Sequence, residues 1–229
     1  MAWATALWGG FSSFFSIWQV CILQISPFFM VYILGLYLTT EEDSRINAGV
    51  RLLLPPALYT LGFSVIYALL SSRSLDVGRL LISNINNLRI AAGFFIGLIS
   101  LHFVLAARFR IMNRRLWPIT LTLGPLLLGI SFAFIYSPCV TPTYAKILQI
   151  SVASDTAMQG ARLALIYGMG MGLSFSVVGL ALILATRAMS ASYKPLVRYF
   201  SGAVLGVLAL MNITGVMVYY KAFFLGLLV

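Results

Sequence analysis

No charged side chain occurs between Phe11 and Thr40, and this is the first of several such stretches. An α-helix needs about 20 apolar residues to cross the hydrocarbon core of a bilayer, so the chain is constrained to a helical membrane fold before any motif is considered. Comparable runs extend from Leu52 to Ser71, Ile90 to Ala107, Trp117 to Val152, Leu163 to Thr186 and Leu196 to Tyr220. Six spans and short connections take up nearly all of the 229 residues, which leaves 1–229 as one transmembrane domain. Composition agrees: 61% of residues are hydrophobic and 9% charged, against roughly half and a quarter in ordinary globular domains. Met1 to Gly10 carries no Lys or Arg and runs directly into the first apolar stretch, so that span is expected to be retained rather than removed as a signal peptide.

A net charge of +10 would point to nucleic acid in a soluble protein. Here the basic residues lie in short connections between apolar runs, where orientation signals and contacts with anionic lipid are the expected use. The lipid bilayer is therefore the implied partner, and nucleic acid is not. With six spans, nine of the 15 Lys and Arg fall on the side of connections one, three and five, most densely from Arg108 to Arg115. The positive-inside rule makes that side cytoplasmic and puts both termini outside.

Span four contains Ser137-Pro138-Cys139-Val140-Thr141-Pro142. A proline inside a helix removes one backbone hydrogen bond and clashes with the preceding turn, so two of them four residues apart predict a broken helix. Such backbone is tolerated at membrane depth only where protein or a watery cavity covers it. Span one carries Cys21 and, beyond it, Ser26-Pro27. Thr141-Pro142 and Ser26-Pro27 both suit the N-cap and first position of a new half-helix, whose N-terminus favours a thiolate.

The halves repeat. Arg89, Gly93 and Gly97 recur as Arg198, Gly202 and Gly206 at an offset of 109; Leu61 to Val65 matches Leu173 to Val177 at 112; Cys21 and Cys139 are 118 apart. Small residues four apart are common in any packed membrane helix, but three offsets agree in order and nearly in size. With three spans in each repeat, about 11–107 and 117–220, the second must enter the membrane from the opposite side, as in inverted-repeat transporters. The expected fold is thus all-α, six transmembrane helices in two inverted three-helix repeats, with helices one and four broken.

Cys21 and Cys139 are the chain's only cysteines. A lone buried cysteine ordinarily acts as a small apolar core residue. Corresponding positions beside helix breakers point instead to a pair that packing about the repeat axis can bring together.

The run from 131 to 142, Ser-Phe-Ala-Phe-Ile-Tyr-Ser-Pro-Cys-Val-Thr-Pro, together with Ala153 to Gly160 and Tyr167-Gly168-Met169-Gly170-Met171-Gly172-Leu173-Ser174-Phe175, resembles the fourth and fifth spans of the CcdA family. These are cytochrome c biogenesis transmembrane proteins related to the membrane domain of DsbD. The first span is looser: Val20 and Gln24 stand where the family has prolines around its cysteine, and Ser174 where it often has one in span five. The resemblance implies a thiol-disulfide electron transporter with Cys21 and Cys139 as its redox pair, reduced by a cytoplasmic thioredoxin and oxidised by an extracytoplasmic thioredoxin-like protein. Two cysteines suffice for exchange, so no metal or other cofactor is expected. Pro27, Pro138 and Pro142, with Gly168, Gly170 and Gly172, are the candidates for alternate exposure of the pair.

A small-solute or metal-ion exporter is the competing class, since it also uses broken helices. Its extra candidate is His102, for which a packed, hydrogen-bonded role is expected, because span three offers it no acidic partner. The methionines follow no fixed spacing and read as core filler. Lys146 is expected to snorkel to the outer interface, while Gln19 and Gln24 could bond either the Cys21 thiol or broken backbone.

Overall fold

A computed structural model describes residues 2–15, 20–40, 48–71, 76–108, 110–136, 141–152, 155–187 and 193–228. All regular structure among them is α-helical: α1 (Trp3–Phe15), α2 (Val20–Thr40), α3 (Ala48–Ser71), α4 (Asp76–Ser83), α5 (Ile85–Arg108), α6 (Arg110–Tyr136), α7 (Pro142–Val152), α8 (Ala157–Arg187), α9 (Lys194–Ile213) and α10 (Met217–Leu228). Four described stretches are long and apolar enough to cross a membrane: Leu53–Ser71, Ile85–Leu105, Ala157–Thr186 and Lys194–Ile213. The apolar parts of α2 and α6, Pro27–Leu38 and Thr122–Ile135, are shorter.

Several boundaries differ from those read in the sequence. The basic stretch taken as a connection is helical, because α5 runs to Arg108 and α6 starts at Arg110; arginine is a good helix former, and a helix does not stop where the bilayer does. α3 begins at Ala48, ahead of the apolar run read from Leu52, which places Pro55 and Pro56 inside the helix. α2 is continuous through Pro27, where the first span was expected to break; residues 16–19, between α1 and α2, lie outside the described residues. The polar connection after α3 forms α4, an exposed helix with an Arg79–Asp76 ion pair one turn apart, a pairing that contributes little to stability. After α9 the chain turns at Gly215, whose φ of 76° is the left-handed conformation glycine adopts without strain. That turn starts α10, where a single sixth span was expected to continue to Tyr220.

The bundle is built on close backbone approach. α8 packs along α3 and α1, α6 along α3 and α5, and α9 along α5 and α2. Gly10 presses on the backbone of Tyr167 and Met171, and Gly170 on that of Leu7 and Phe11. Gly129 presses in the same way on Tyr59 and Phe63, and Gly62 on Leu126 and Ile130. Between bilayer-embedded helices, such small-residue contacts supply the packing that a hydrophobic effect cannot. Phe175 of α8 is fully buried and anchors an aromatic cluster with Phe14, Phe29, Tyr59 and Phe63.

These contacts recur in exchanged form. An offset of 119 carries Gly10 to Gly129, Leu7 to Leu126 and Phe11 to Ile130, while an offset of 108 carries Tyr59 to Tyr167, Gly62 to Gly170 and Phe63 to Met171. In the third pair of helices Gly93 meets Ala209 and Ile213, and Gly202 meets Ser100 and Val104, all related by 109. The spatial register of α3 against α8 is therefore 108, one helical turn from the 112 given by matching Leu61–Val65 to Leu173–Val177. Small residues spaced by a turn let a sequence match slide by that amount.

Candidate functional site

Thr141 opens α7 with Pro142 as its first residue. The Tyr144 amide donates to Thr141 Oγ1 at 3.0 Å, and the Ala145 amide donates to the Thr141 carbonyl at 2.8 Å. This is an N-cap, and the missing amide of Pro142 falls where no intrahelical acceptor exists for it. The segment just ahead, Ser137 to Val140, lies outside the described residues, and with it Pro138 and Cys139. Cys21 stands in the first turn of α2; its side chain, like that of Gln24, lies outside what is described, as does Gln19.

One fully buried side chain connects α1 with the start of α7. The Tyr167 hydroxyl on α8 donates to Ser13 Oγ at 3.1 Å and lies 3.0 Å from Thr141 Oγ1, and Ser13 donates to the Gly9 carbonyl. Because Tyr167 gives its proton to Ser13, Thr141 is the donor to Tyr167, while its oxygen also accepts from Tyr144. The chain of donors runs Thr141, Tyr167, Ser13, Gly9 carbonyl, from the residue that opens α7 to the last turn of α1. Tyr67 and Tyr144 pack their rings against Tyr167. Tyr59, which the 108 offset relates to Tyr167, is equally buried but its hydroxyl has no hydrogen-bond partner among the described residues.

The glycine series has a definite placement. Gly168 and Gly172 face Ser64 and Thr60 of α3, and Gly170 faces Leu7 of α1, so alternate glycines bring α8 onto two different helices. Pro27 is exposed on α2, Pro142 is exposed at the start of α7, and Lys146 is exposed on α7, as snorkelling requires. His102 differs from expectation: it is half-buried beside Phe103, and its Nε2 makes no hydrogen bond among the described residues. Two arginines inside candidate spans donate to helix ends, Arg89 Nε to the Phe134 carbonyl at 3.1 Å and Arg198 to the Leu38 carbonyl.

Sequence reasoning did not single out Tyr167, Ser13 or Arg89 as functional. Thr141 carried a signal through its Thr-Pro pair, whereas the hydroxyl partners are remote in sequence. Thr141→Val keeps the side chain's shape and removes the cap and the bond to Tyr167. It should destabilise the protein by about 2 kcal/mol, about 1 for the cap and about 1 for the lost bond to Tyr167, measured by thermal unfolding in detergent with Thr141→Ser close to the parent.

The chain is similar to the cytochrome c-type biogenesis protein CcdA of Halalkalibacterium halodurans, 25% identical over 222 residues, covering 92% of this chain and 90% of the relative. It is also similar to a protein of Haemophilus influenzae named for cytochrome c-type biogenesis, 24% identical over 177 residues and 75% of each chain. No family model matches it, and no solved structure matches significantly.

Proposed function

We propose, from the premise that the chain belongs to the CcdA family, that this integral membrane protein serves cytochrome c biogenesis by carrying reducing equivalents across the bilayer through Cys21 and Cys139. A thiolate of reduced thioredoxin on the cytoplasmic face attacks one sulfur of the Cys21–Cys139 disulfide; that bond breaks, a mixed disulfide forms, and the other cysteine leaves as a thiolate. Thioredoxin's second thiol then attacks the mixed disulfide and departs oxidised, leaving the pair as a dithiol. The same two exchanges run onward to a thioredoxin-like protein outside, whose disulfide takes both electrons and two protons. That protein in turn keeps apocytochrome c cysteines reduced for haem attachment. The exchange needs no metal and no flavin.

The observation that carries this reading is the hydroxyl chain through Tyr167. It ties the end of α1, which leads towards Cys21, to the start of α7, which follows Cys139, and so supports a reading in which the two cysteine-bearing segments are neighbours. Exchanged glycine contacts support six spans in two inverted repeats, about 11–107 and 117–220, with α1–α2 and α6–α7 as the broken first and fourth spans. The repeats differ here in sequence: the residue 119 beyond Ser13 is Phe132, which packs on Tyr59, so the hydroxyl network belongs to the Tyr167 side among the described residues. Pro27, Pro138 and Pro142, with the glycines of α8, supply the deformable backbone.

A membrane-impermeant maleimide, which alkylates thiols and not disulfides, should label the thioredoxin-reduced pair in both right-side-out and inverted vesicles. Labelling of the reduced pair from one face only would overturn alternate exposure.

A further inference from the structure

The fully helical hydrogen-bond ladder would pair the Phe134 carbonyl with the amide of residue 138. Residue 138 is proline and has no amide to give. Phe134 is in the last turn of α6 and 6% exposed, so its carbonyl is an acceptor deprived of both its helical donor and ready access to water. Leaving such a group unpaired in a membrane interior carries a substantial penalty. Arg89 of α5 supplies the donor, with Nε 3.1 Å from that carbonyl. A guanidinium is also suited electrostatically to this place, since cations are stabilised at the negative end of a helix.

Arg89 lies within the candidate span Ile85–Leu105, where an ionisable side chain is disfavoured unless something needs it. We propose that Arg89 is a positioning residue for Cys139: it stands in for the amide that Pro138 lacks and so holds the last turn of α6 at Phe134, five residues before the thiol. The assignment rests on the thiol-exchange reading for its purpose, although not for its chemistry. Arg198 serves as the internal comparison. It donates to the Leu38 carbonyl, whose helical donor would be the amide of Glu42, an ordinary residue, so Arg198 has no link to Pro138.

The link between Arg89 and Pro138 makes a double-mutant test specific. In a Cys21→Ser background, the rate of Cys139 alkylation by a small maleimide reports how the thiol is placed, whether or not the protein exchanges with thioredoxin. Arg89→Met should change that rate by tenfold or more when Pro138 is present. In Pro138→Ala protein, where residue 138 again has an amide, the same substitution should change it less than threefold, and Arg89→Lys should fall near the parent in both. Arg198→Met should act alike in the two backgrounds. If Arg89→Met does not accumulate in the membrane, recovery of accumulation in the double variant supports the proposal and failure to recover overturns it. Equal effects of Arg89→Met with and without Pro138 would overturn it as well. Thioredoxin-dependent reduction of the parent is measured alongside: its absence counts against the electron-transport reading and leaves the alkylation result standing.

Discussion

Replacing either cysteine by serine is expected to abolish electron transfer to background, the largest effect any single substitution should have. A lone thiol can enter a mixed disulfide but cannot resolve it, so the exchange stops after one bond. The two variants should still differ from each other. Thioredoxin reduced to one cysteine and activated with thionitrobenzoate presents a disulfide to each single-cysteine protein; the attacking protein thiolate forms a stable mixed disulfide and expels the coloured thiol. The cysteine that meets the cytoplasmic partner should release colour faster, and the slower one should react preferentially with the outer thioredoxin-like protein treated the same way. Equal electron transfer by the parent and both Ser variants would remove Cys21 and Cys139 from the mechanism and return attention to the exporter class.

The second large effect concerns the helix contacts. A Cβ on Gly10 would fall onto the Tyr167 carbonyl oxygen, and one on Gly129 onto that of Tyr59. Both obstacles are backbone in a neighbouring helix, which cannot rotate away as a side chain can. Gly10→Val and Gly129→Val should therefore each destabilise by about 4 kcal/mol or more, beyond the ~1–3 of ordinary overpacking. Gly226→Val, with open space around it, should stay within about 0.5 kcal/mol. Unfolding followed by cysteine accessibility or circular dichroism in detergent measures all three. Because Gly10 and Gly129 occupy exchanged positions, similar losses are also expected from a two-repeat architecture, and a neutral Gly10→Val beside a damaging Gly129→Val would argue against it.

Local chemistry was legible in the sequence wherever it acts over one turn. Thr141-Pro142 was read as a helix start and forms one, because a hydroxyl and a missing amide do their work within three residues. Proline alone was a weaker guide. Pro27 was read as a break, yet α2 runs through it, since one proline removes one bond and flanking turns can hold the helix. The Arg89–Gly93–Gly97 repeat gave the 109 offset that the contacts use, because arginine and two spaced glycines fix a register. The Leu61–Val65 match slid by a turn because serine and glycine alternate there and either fits a close approach. Tyr167 escaped notice for a different reason. Its partners lie 26 and 154 residues away, and no spacing along the chain encodes a bond between three helices. Cys139 lies outside the described residues, so its pairing with Cys21 rests on the sequence and the family.

The direction of the donors through Tyr167 has a bearing on bioenergetics. Protons move along hydroxyls only if each oxygen can accept one and pass another on. This chain ends on the Gly9 carbonyl, which accepts but has no proton to release, and it begins at Thr141, whose oxygen also accepts from a backbone amide. The network can hold two pieces of broken helix together without becoming a wire. The proposed thiol exchange would then run beside a hydroxyl network that offers protons no through-route.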